Sequence, residues 1–240
     1  VFNRFNKPEV RYARRMARIR RWDAPLEGGW AHLKAYVNML FVDHGIFRAI
    51  YLNRHKVTDR FWRAAQPSPR DIDAIARLGV RTVVNLRGGR EYGSWPLERD
   101  ACERNGITLA EFVVRSREAP SRETVLSAKK FFETLDYPVL VHCKSGADRA
   151  GFMAALFLLV HEGRPVEEAV RELSLRYGHF RFAKTGILDA FFELYRQEGA
   201  AAGLDFMTWV TTVYEPDKLR ARFRPNFWSA FLVDRILHRE

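Results

Sequence analysis

Residues 139–151 read Val-Leu-Val-His-Cys-Lys-Ser-Gly-Ala-Asp-Arg-Ala-Gly, and they constrain the fold of this chain more than any other stretch. Val139, Leu140 and Val141 have strand character and run straight into Cys143. Five residues then separate Cys143 from Arg149, and the apolar segment 151–160 is long enough for a buried helix. Strand, short loop and helix in that order bend the loop around an anion, because its amides and those of the first helical turn point inward. The same field favours the thiolate of Cys143. Arg149 carries a planar fork that grips two phosphate oxygens. A nucleophile and a phosphate clamp on one loop predict phosphate-ester hydrolysis through a phosphocysteine intermediate. Lys144, Ser145, Gly146, Ala147 and Asp148, together with Arg149, are the expected phosphate-binding residues.

The rest of the chain alternates. Strand patterns at 61–66, 81–86, 107–114 and 139–142 are interleaved with helical patterns at 69–78, 96–105 and 122–135. Further helical patterns follow at 149–162, 166–176 and 187–198, and 222–240, with Trp228, Phe231 and Ile236, reads as a C-terminal helix. This is an α/β order with a mainly parallel central sheet flanked by helices. With 240 residues, 47% of them hydrophobic, the chain has enough apolar material for one domain with extensions. Two cysteines, Cys102 and Cys143, are too few for a disulfide framework and fit a reducing cytosol. Cys102 reads as a small buried thiol on a helix in preference to a redox partner of Cys143. No apolar run reaches the roughly 18 residues of a membrane span.

The formal net charge of +11 is concentrated at one end. Residues 1–22 hold eight Lys or Arg (Arg4, Lys7, Arg11, Arg14, Arg15, Arg18, Arg20, Arg21) against Glu9 alone, a net +7. On a helix, Arg11, Arg14, Arg15 and Arg18 share one face, while Tyr12, Met16 and Ile19 lie on another. A second helical pattern runs from Trp30 to Phe41. Two readings stand side by side: a solvated basic tail, or a peripheral contact with an anionic membrane. Nucleic acid is not an expected partner, because no groove-reading motif accompanies the charge.

The order His142, Cys143, five residues, Arg149, Gly151 resembles the signature loop of the cysteine-dependent protein tyrosine phosphatase superfamily. Phe61-Trp62-Arg63-Ala64-Ala65-Gln66-Pro67-Ser68-Pro69, the strand at 80–87 and the helices after the loop resemble its compact dual-specificity branch, particularly the bacterial members. A bare Cys-x5-Arg also fits sulfurtransferases and arsenate reductases, and His142, Gly146 and Gly151 sharpen the match. The resemblance covers 57–199. It implies a catalytic domain there, with a basic helical extension at 1–56 and a helical extension at 200–240. It also implies a metal-independent, cofactor-free phosphatase, and the cysteine usage and the basic N-terminus place it in the cytoplasm or at the inner membrane face. The substrate would be a phosphotyrosine or phosphoserine protein, or a phosphorylated lipid. His142 is expected to support the loop from beneath, and Asn85 to face the site from a strand end. For Arg87, beside Gly88 and Gly89, a role at the site and a surface turn are equal expectations. The loop at 178–186, with His179, Phe180, Arg181 and Lys184, is read as an exposed connector before an extension of the phosphate site.

Two departures from the family pattern matter. The residue after the arginine is Ala150, where the family carries a hydroxyl that helps the thiolate leave, so a phosphate-binding pseudophosphatase with poor turnover is the alternative reading. No Asp lies between Asp100 and Asp136 to act as an upstream general acid; Glu111 and Glu118 are the carboxylates of that region. Asp148 instead sits on the loop beside Arg149, similar to the myotubularin and Sac-type phosphoinositide phosphatases. It is the expected general acid, with Glu118 as the fallback, and a purely structural pairing with Arg149 as the competing role.

Overall fold

The computed structural model describes residues 8–224. Its helices are α1 (Pro8–Asp23), α2 (Gly28–Val37, running on through a π-turn at Asn38–Val42), α3 (Gly45–Ile50), α4 (Pro69–Arg77), α5 (Ser94–Arg104), α6 (Arg122–Thr134), α7 (Asp148–Leu156, running on through Phe157–His161), α8 (Val166–Ala169), α9 (Ile187–Leu194), α10 (Phe206–Thr212) and α11 (Pro216–Arg222). Five strands, β1 (His55–Lys56), β2 (Phe61–Ala65), β3 (Thr82–Asn85), β4 (Thr108–Glu111) and β5 (Val139–Cys143), form one sheet in the order β1-β2-β5-β3-β4. Only the two-residue β1 pairs antiparallel; the other contacts are parallel. The mainly parallel α/β sheet expected from the sequence is therefore present.

Burial explains the strand order. All five residues of β5 are buried, as befits a central parallel strand covered on both faces. The pleat sends Val139, Val141 and Cys143 to one face, where Phe61, Val84, Phe132, Phe152 and Phe157 pack. Leu140 goes to the other face, with Ala64, Val83, Ile72, Ile75 and the buried thiol of Cys102. Ser68 starts α4 with a capping box to Asp71 and has Pro69 behind it, which fixes the turn out of β2.

The two flanking segments are packed differently. Trp22, Ala35, Met39 and Leu97 form a small cluster that docks α1 and α2 on α5. Phe206, Trp209, Val210, Tyr214 and Leu219 of the C-terminal part join the main core, and the Tyr214 hydroxyl donates to Pro120 O at 2.7 Å. Of the helix read at 222–240, residues 225–240 lie outside the described residues, as do Arg4 and Lys7. The helix expected over 166–176 ends early: α8 gives way to a 3-10 turn at Val170–Glu172, and Leu173 leaves helical geometry with ψ at 74°. The cause lies across the fold, where the Glu172 carbonyl accepts from the buried Arg63 guanidinium and is lost to a continuing helix.

Trp209 is fully buried against Phe191, Tyr195 and Tyr214. Trp209→Ala should lower unfolding free energy by about 3–5 kcal/mol, read from urea midpoints. An unchanged midpoint would show that 206–222 is dispensable to the core.

Candidate active site

Cys143 ends β5 opposite Ala65 of β2, and the loop to α7 crosses the carboxyl edge of the sheet. Every carbonyl of residues 144–147 is taken by a donor on the outer side of that loop. Lys144 O accepts from the Gln66 amide at 3.4 Å and Ser145 O from Asn53 Nδ2 at 2.9 Å. Gly146 O and Ala147 O accept from one Nη of Arg63, at 2.7 and 2.8 Å. In a trans peptide the following N–H points opposite to the carbonyl. The amides of residues 145–148 are thus turned to the concave side, where Cys143 lies. The loop amides thus have the inward orientation that an anion cradle needs, and α7 adds the positive end of its dipole.

Two glycines make the geometry feasible. Gly146 has φ of +73°, and a Cβ there would come within 2.6 Å of the Ala65 nitrogen. At Gly151 a Cβ would meet the Glu172 carbonyl at 2.6 Å and the Arg63 guanidinium at 3.0 Å. Arg63 itself is fully buried, paired with Glu172 at 2.7 Å and laid on the Tyr177 ring, 4.1 Å from its centroid. Among the described residues the Arg149 guanidinium has no hydrogen-bond or ion-pair partner, and it is half-buried at the start of α7. Cys143 and Ala150 are both buried, and Ala150 brings no hydroxyl to the site.

A second polar network lies behind the strand ends. His142 is fully buried with Nε2 2.6 Å from Glu98 Oε1, at an angle too bent for a well-formed hydrogen bond. The other Glu98 oxygen accepts from Asn85 and Gln66, at 3.0 and 2.9 Å. Gln66 in turn accepts from Arg87, whose fork makes two 2.8 Å bonds to Asp43. Arg48 and Ser94 also donate to Asp43. Burial would raise the Asp43 carboxyl, but the Arg87 hydrogen bonds and the charges of Arg87 and Arg48 overcome it and bring the pKa down to about 2. Arg87 is therefore no surface turn; it ties the segment after α2 to the strand ends, and Asn85 receives its backbone N–H.

The expected proton donors are placed unequally. Asp148 opens α7, and its Oδ1 lies 2.7 Å from His179 Nδ1, while His179 Nε2 lies 2.6 Å from Asp189 Oδ2 on α9. Burial lowers the basicity of His179, but the hydrogen bonds to Asp148 and Asp189 outweigh it and raise its pKa to about 9. The connector reading of 178–186 thus fails for His179, which is buried against the loop. Glu118 is exposed and bonded to Arg115 at 2.9 Å, at the rim of a cleft that includes Phe152 and Thr124. No hydrogen bond joins it to residues 143–149.

The sequence reading missed Arg63, Glu98, Asp43, Asp189 and Glu172 as site residues, and included His179 only in the second reading of 178–186, as an extension of the phosphate site. Arg63 carried a signal: an arginine inside the apolar strand Phe61–Ala65 needs a buried partner. The others are brought in by long-range packing and have no local signature.

A family model described as a DSP-PTPase phosphatase fused to NAD+ kinase matches residues 47–187. The chain belongs to this phosphatase family. Dual specificity protein phosphatase TpbA of Pseudomonas aeruginosa is 25% identical over 132 residues, covering 51% of this chain and 53% of the relative. Inositol diphosphatase DSP3 of Arabidopsis thaliana is 29% identical over 104 residues, covering 41% of this chain and 50% of the relative. The chain thus spans about half the length of these curated relatives. The crystal structure of P. aeruginosa TpbA superposes with a TM-score of 0.50 at 20% identity, over 71% of this chain and 89% of that one, a likeness of fold.

The raised His179 pKa has a testable consequence for stability. A group whose pKa rises on folding, here from 6.5 to about 9, stabilises fully below pH 6.5 and loses that contribution as pH climbs through 9. Urea unfolding between pH 6 and 9.5 should show a decline on the order of 3 kcal/mol. In His179→Gln that decline should be absent, and a parallel decline in both proteins would contradict the assignment.

Proposed function

We propose that this chain is a cysteine-dependent phosphatase that works through a phosphocysteine intermediate. The carrying observation is the outward capture of all four carbonyls of residues 144–147, which aims the loop amides at the space above Cys143. A phosphate seated there accepts from amides already oriented before it arrives, and Arg149 closes over two of its oxygens. The Cys143 thiolate then attacks phosphorus, and the leaving oxygen departs on the side away from sulfur. His142, Asn85 and Arg87 hold the strand ends from behind. Ala150 gives no hydroxyl to the departing thiolate, so breakdown of the phosphoenzyme is the slow step in this reading.

The substrate is a phosphorylated protein or a phosphorylated small molecule or lipid, in line with the protein phosphatase and inositol diphosphatase named among the relatives. We place the activity in the cytoplasm and treat the divisions at 56/57 and 199/200 as limits of the family resemblance, with α1 and α2 packed on α5 and the C-terminal helices on the main core. Among the described residues no helix is long and apolar enough to cross a membrane. Peripheral contact is the finer proposal. Arg11, Arg14, Arg15, Arg18, Arg20 and Arg21 of α1 are exposed. Eight of the fifteen large hydrophobic residues exposed among the described ones lie between positions 30 and 51, including Trp30, Phe41 and Ile50. Arg18, Arg21, Trp30, Leu33 and Lys34 line a groove of about 420 Å³ there. An apolar strip rimmed by arginine and lysine suits an anionic bilayer surface.

Cys143→Ser should lose turnover of an aryl phosphate while still binding vanadate, because the amides and Arg149 survive the change. Arg149→Lys should fall severely as well, since an ammonium cannot reproduce the two-pronged grip. Activity should persist in chelator. Turnover by Cys143→Ser at the parent rate would end the thiol mechanism.

For the membrane contact, deleting residues 1–22 should weaken flotation with anionic vesicles and leave hydrolysis of a small soluble ester nearly intact. Added salt should weaken it too, because surface attraction decays over roughly 8 Å at physiological ionic strength. Indifference of the full chain to anionic vesicles at low salt would refute the contact.

A further inference from the structure

Two aspartates from different helices face the two ring nitrogens of one buried histidine. His179 meets Asp148 of α7 at 2.7 Å through Nδ1 and Asp189 of α9 at 2.6 Å through Nε2, and its ring has no exposed surface. Both carboxylates favour its protonated form. A neutral imidazole donates from one nitrogen only, so serving both carboxylates takes the imidazolium. A hydrogen bond from a cation favours the ionised form of its acceptor. Asp148 at rest is then a proton acceptor, able to take a proton from water but with none to give a leaving group.

We propose, building on the cysteine-phosphatase reading above, that His179 is a positioning residue that dedicates Asp148 to the second half-reaction. The preferred substrates are then phosphates on leaving groups stable as anions, namely phosphoanhydrides and acidic aryl esters, ahead of alkyl monoesters. In the first half-reaction the Cys143 sulfur forms the S–P bond with its own electron pair. The P–O bond breaks, and its pair leaves with the oxygen as a phosphate or phenolate anion, with no proton moved. In the second, water forms the new O–P bond as one of its protons passes to the Asp148 carboxylate. The P–S bond breaks, and its pair returns to Cys143 as thiolate. The next cycle begins when Asp148 gives that proton to solvent.

The surroundings of the loop agree with this division of labour. Glu118 is held by Arg115 at the rim, Glu172 is held by Arg63, and Glu98 accepts from Asn85 and Gln66 behind the strands. Asp148 is the carboxylate that the loop itself carries. Ala150 provides no hydroxyl to assist sulfur departure, which leaves activation of the attacking water as the remaining help for that step.

The test is rapid-quench and steady-state kinetics of the full chain on phenyl phosphates of graded acidity, an alkyl phosphate and inorganic diphosphate. The wild type should show kcat/KM falling steeply as the leaving group becomes more basic. The alkyl ester should lie at least about 100-fold below nitrophenyl phosphate, the scale of a missing general acid, and below diphosphate. Asp148→Asn should lower kcat by about 100-fold to 10,000-fold and kcat/KM for nitrophenyl phosphate far less. A burst of one nitrophenol per enzyme should accompany that split. His179→Gln should give the same split in smaller measure. If burial of that site prevents folding, Asp189→Asn, at the partly exposed end of the triad, serves instead. The proposal is overturned if the kcat/KM loss in Asp148→Asn grows with leaving-group basicity, since Asp148 would then be the acid. It is equally overturned if the His179 and Asp189 variants lower kcat and kcat/KM alike. Lack of any Cys143-dependent turnover in the wild type is a different result, because it removes the phosphatase reading together with this one.

Discussion

A guanidinium with no exposed surface, that of Arg63 in β2, holds the reactive loop in shape. It donates to the carbonyls of Gly146 and Ala147, to the Glu172 carbonyl and to the Glu172 carboxylate, and it lies on the face of Tyr177. A buried ion pair of this kind contributes little net stability compared with an apolar replacement, although removing one partner costs about 3–5 kcal/mol. Its value here is orientation. By occupying the outward carbonyls it fixes which way the peptide planes face, and the inward amides follow from covalent geometry. The same contacts leave no room for a side chain at Gly151 and end α8 early, so two local features of the sequence share one long-range cause.

The chain of polar contacts behind the strands gives the N-terminal segment a place in the same structure. Asp43 lies four residues before the region matched by the family model, yet its carboxylate is fully buried and takes both arms of Arg87. From Arg87 the contacts pass through Gln66 and Glu98 to His142, the residue next to Cys143. Hydrogen bonds run from Asp43 through Arg87 and Gln66 to Glu98, and the last link to His142 is a 2.6 Å approach without hydrogen-bond geometry. The outer face of the same segment presents Phe41, Val42, Ile46 and Ile50 to solvent. A single stretch of chain thus joins the back of the 143–149 loop to a run of exposed apolar side chains.

How much of this was legible in the sequence follows from the range of the interactions. The loop could be read because its signal is local: Cys143, Gly146, Arg149 and Gly151 sit within nine residues between an apolar strand and an apolar helix. The four strands β2 to β5 sit where hydrophobic periodicity placed them, and the two-residue β1 is too short to carry a period. The polar partners were not legible, because Glu172 is 109 residues from Arg63 and His179 is 31 from Asp148, separations at which no spacing rule operates. The helix read over 166–176 failed for the same reason: its propensity is real, and a distant arginine takes the carbonyl it needs. Arg63 was the exception, a charge inside an apolar strand that signalled a buried partner without naming it.

Two independent constraints meet at the first turn of α7. The Ala147 carbonyl is held by Arg63 from the β2 side, and the adjoining Asp148 side chain is held by His179 from the side of α9. The Gly151 amide also donates to Ala147 O, so the helical register is locked to the same oxygen that orients the loop. A one-residue slip of α7 would release both holds at once and would carry Arg149 away from the cradle. The loop and the Asp148 side chain are therefore held from separate parts of the fold, β2 and the 178–189 segment, and joined through a single peptide. That arrangement lets the dipoles that bind phosphate stay rigid, since their orientation is set during folding. The Asp148 side chain is held from another part of the fold, by the buried histidine that faces it.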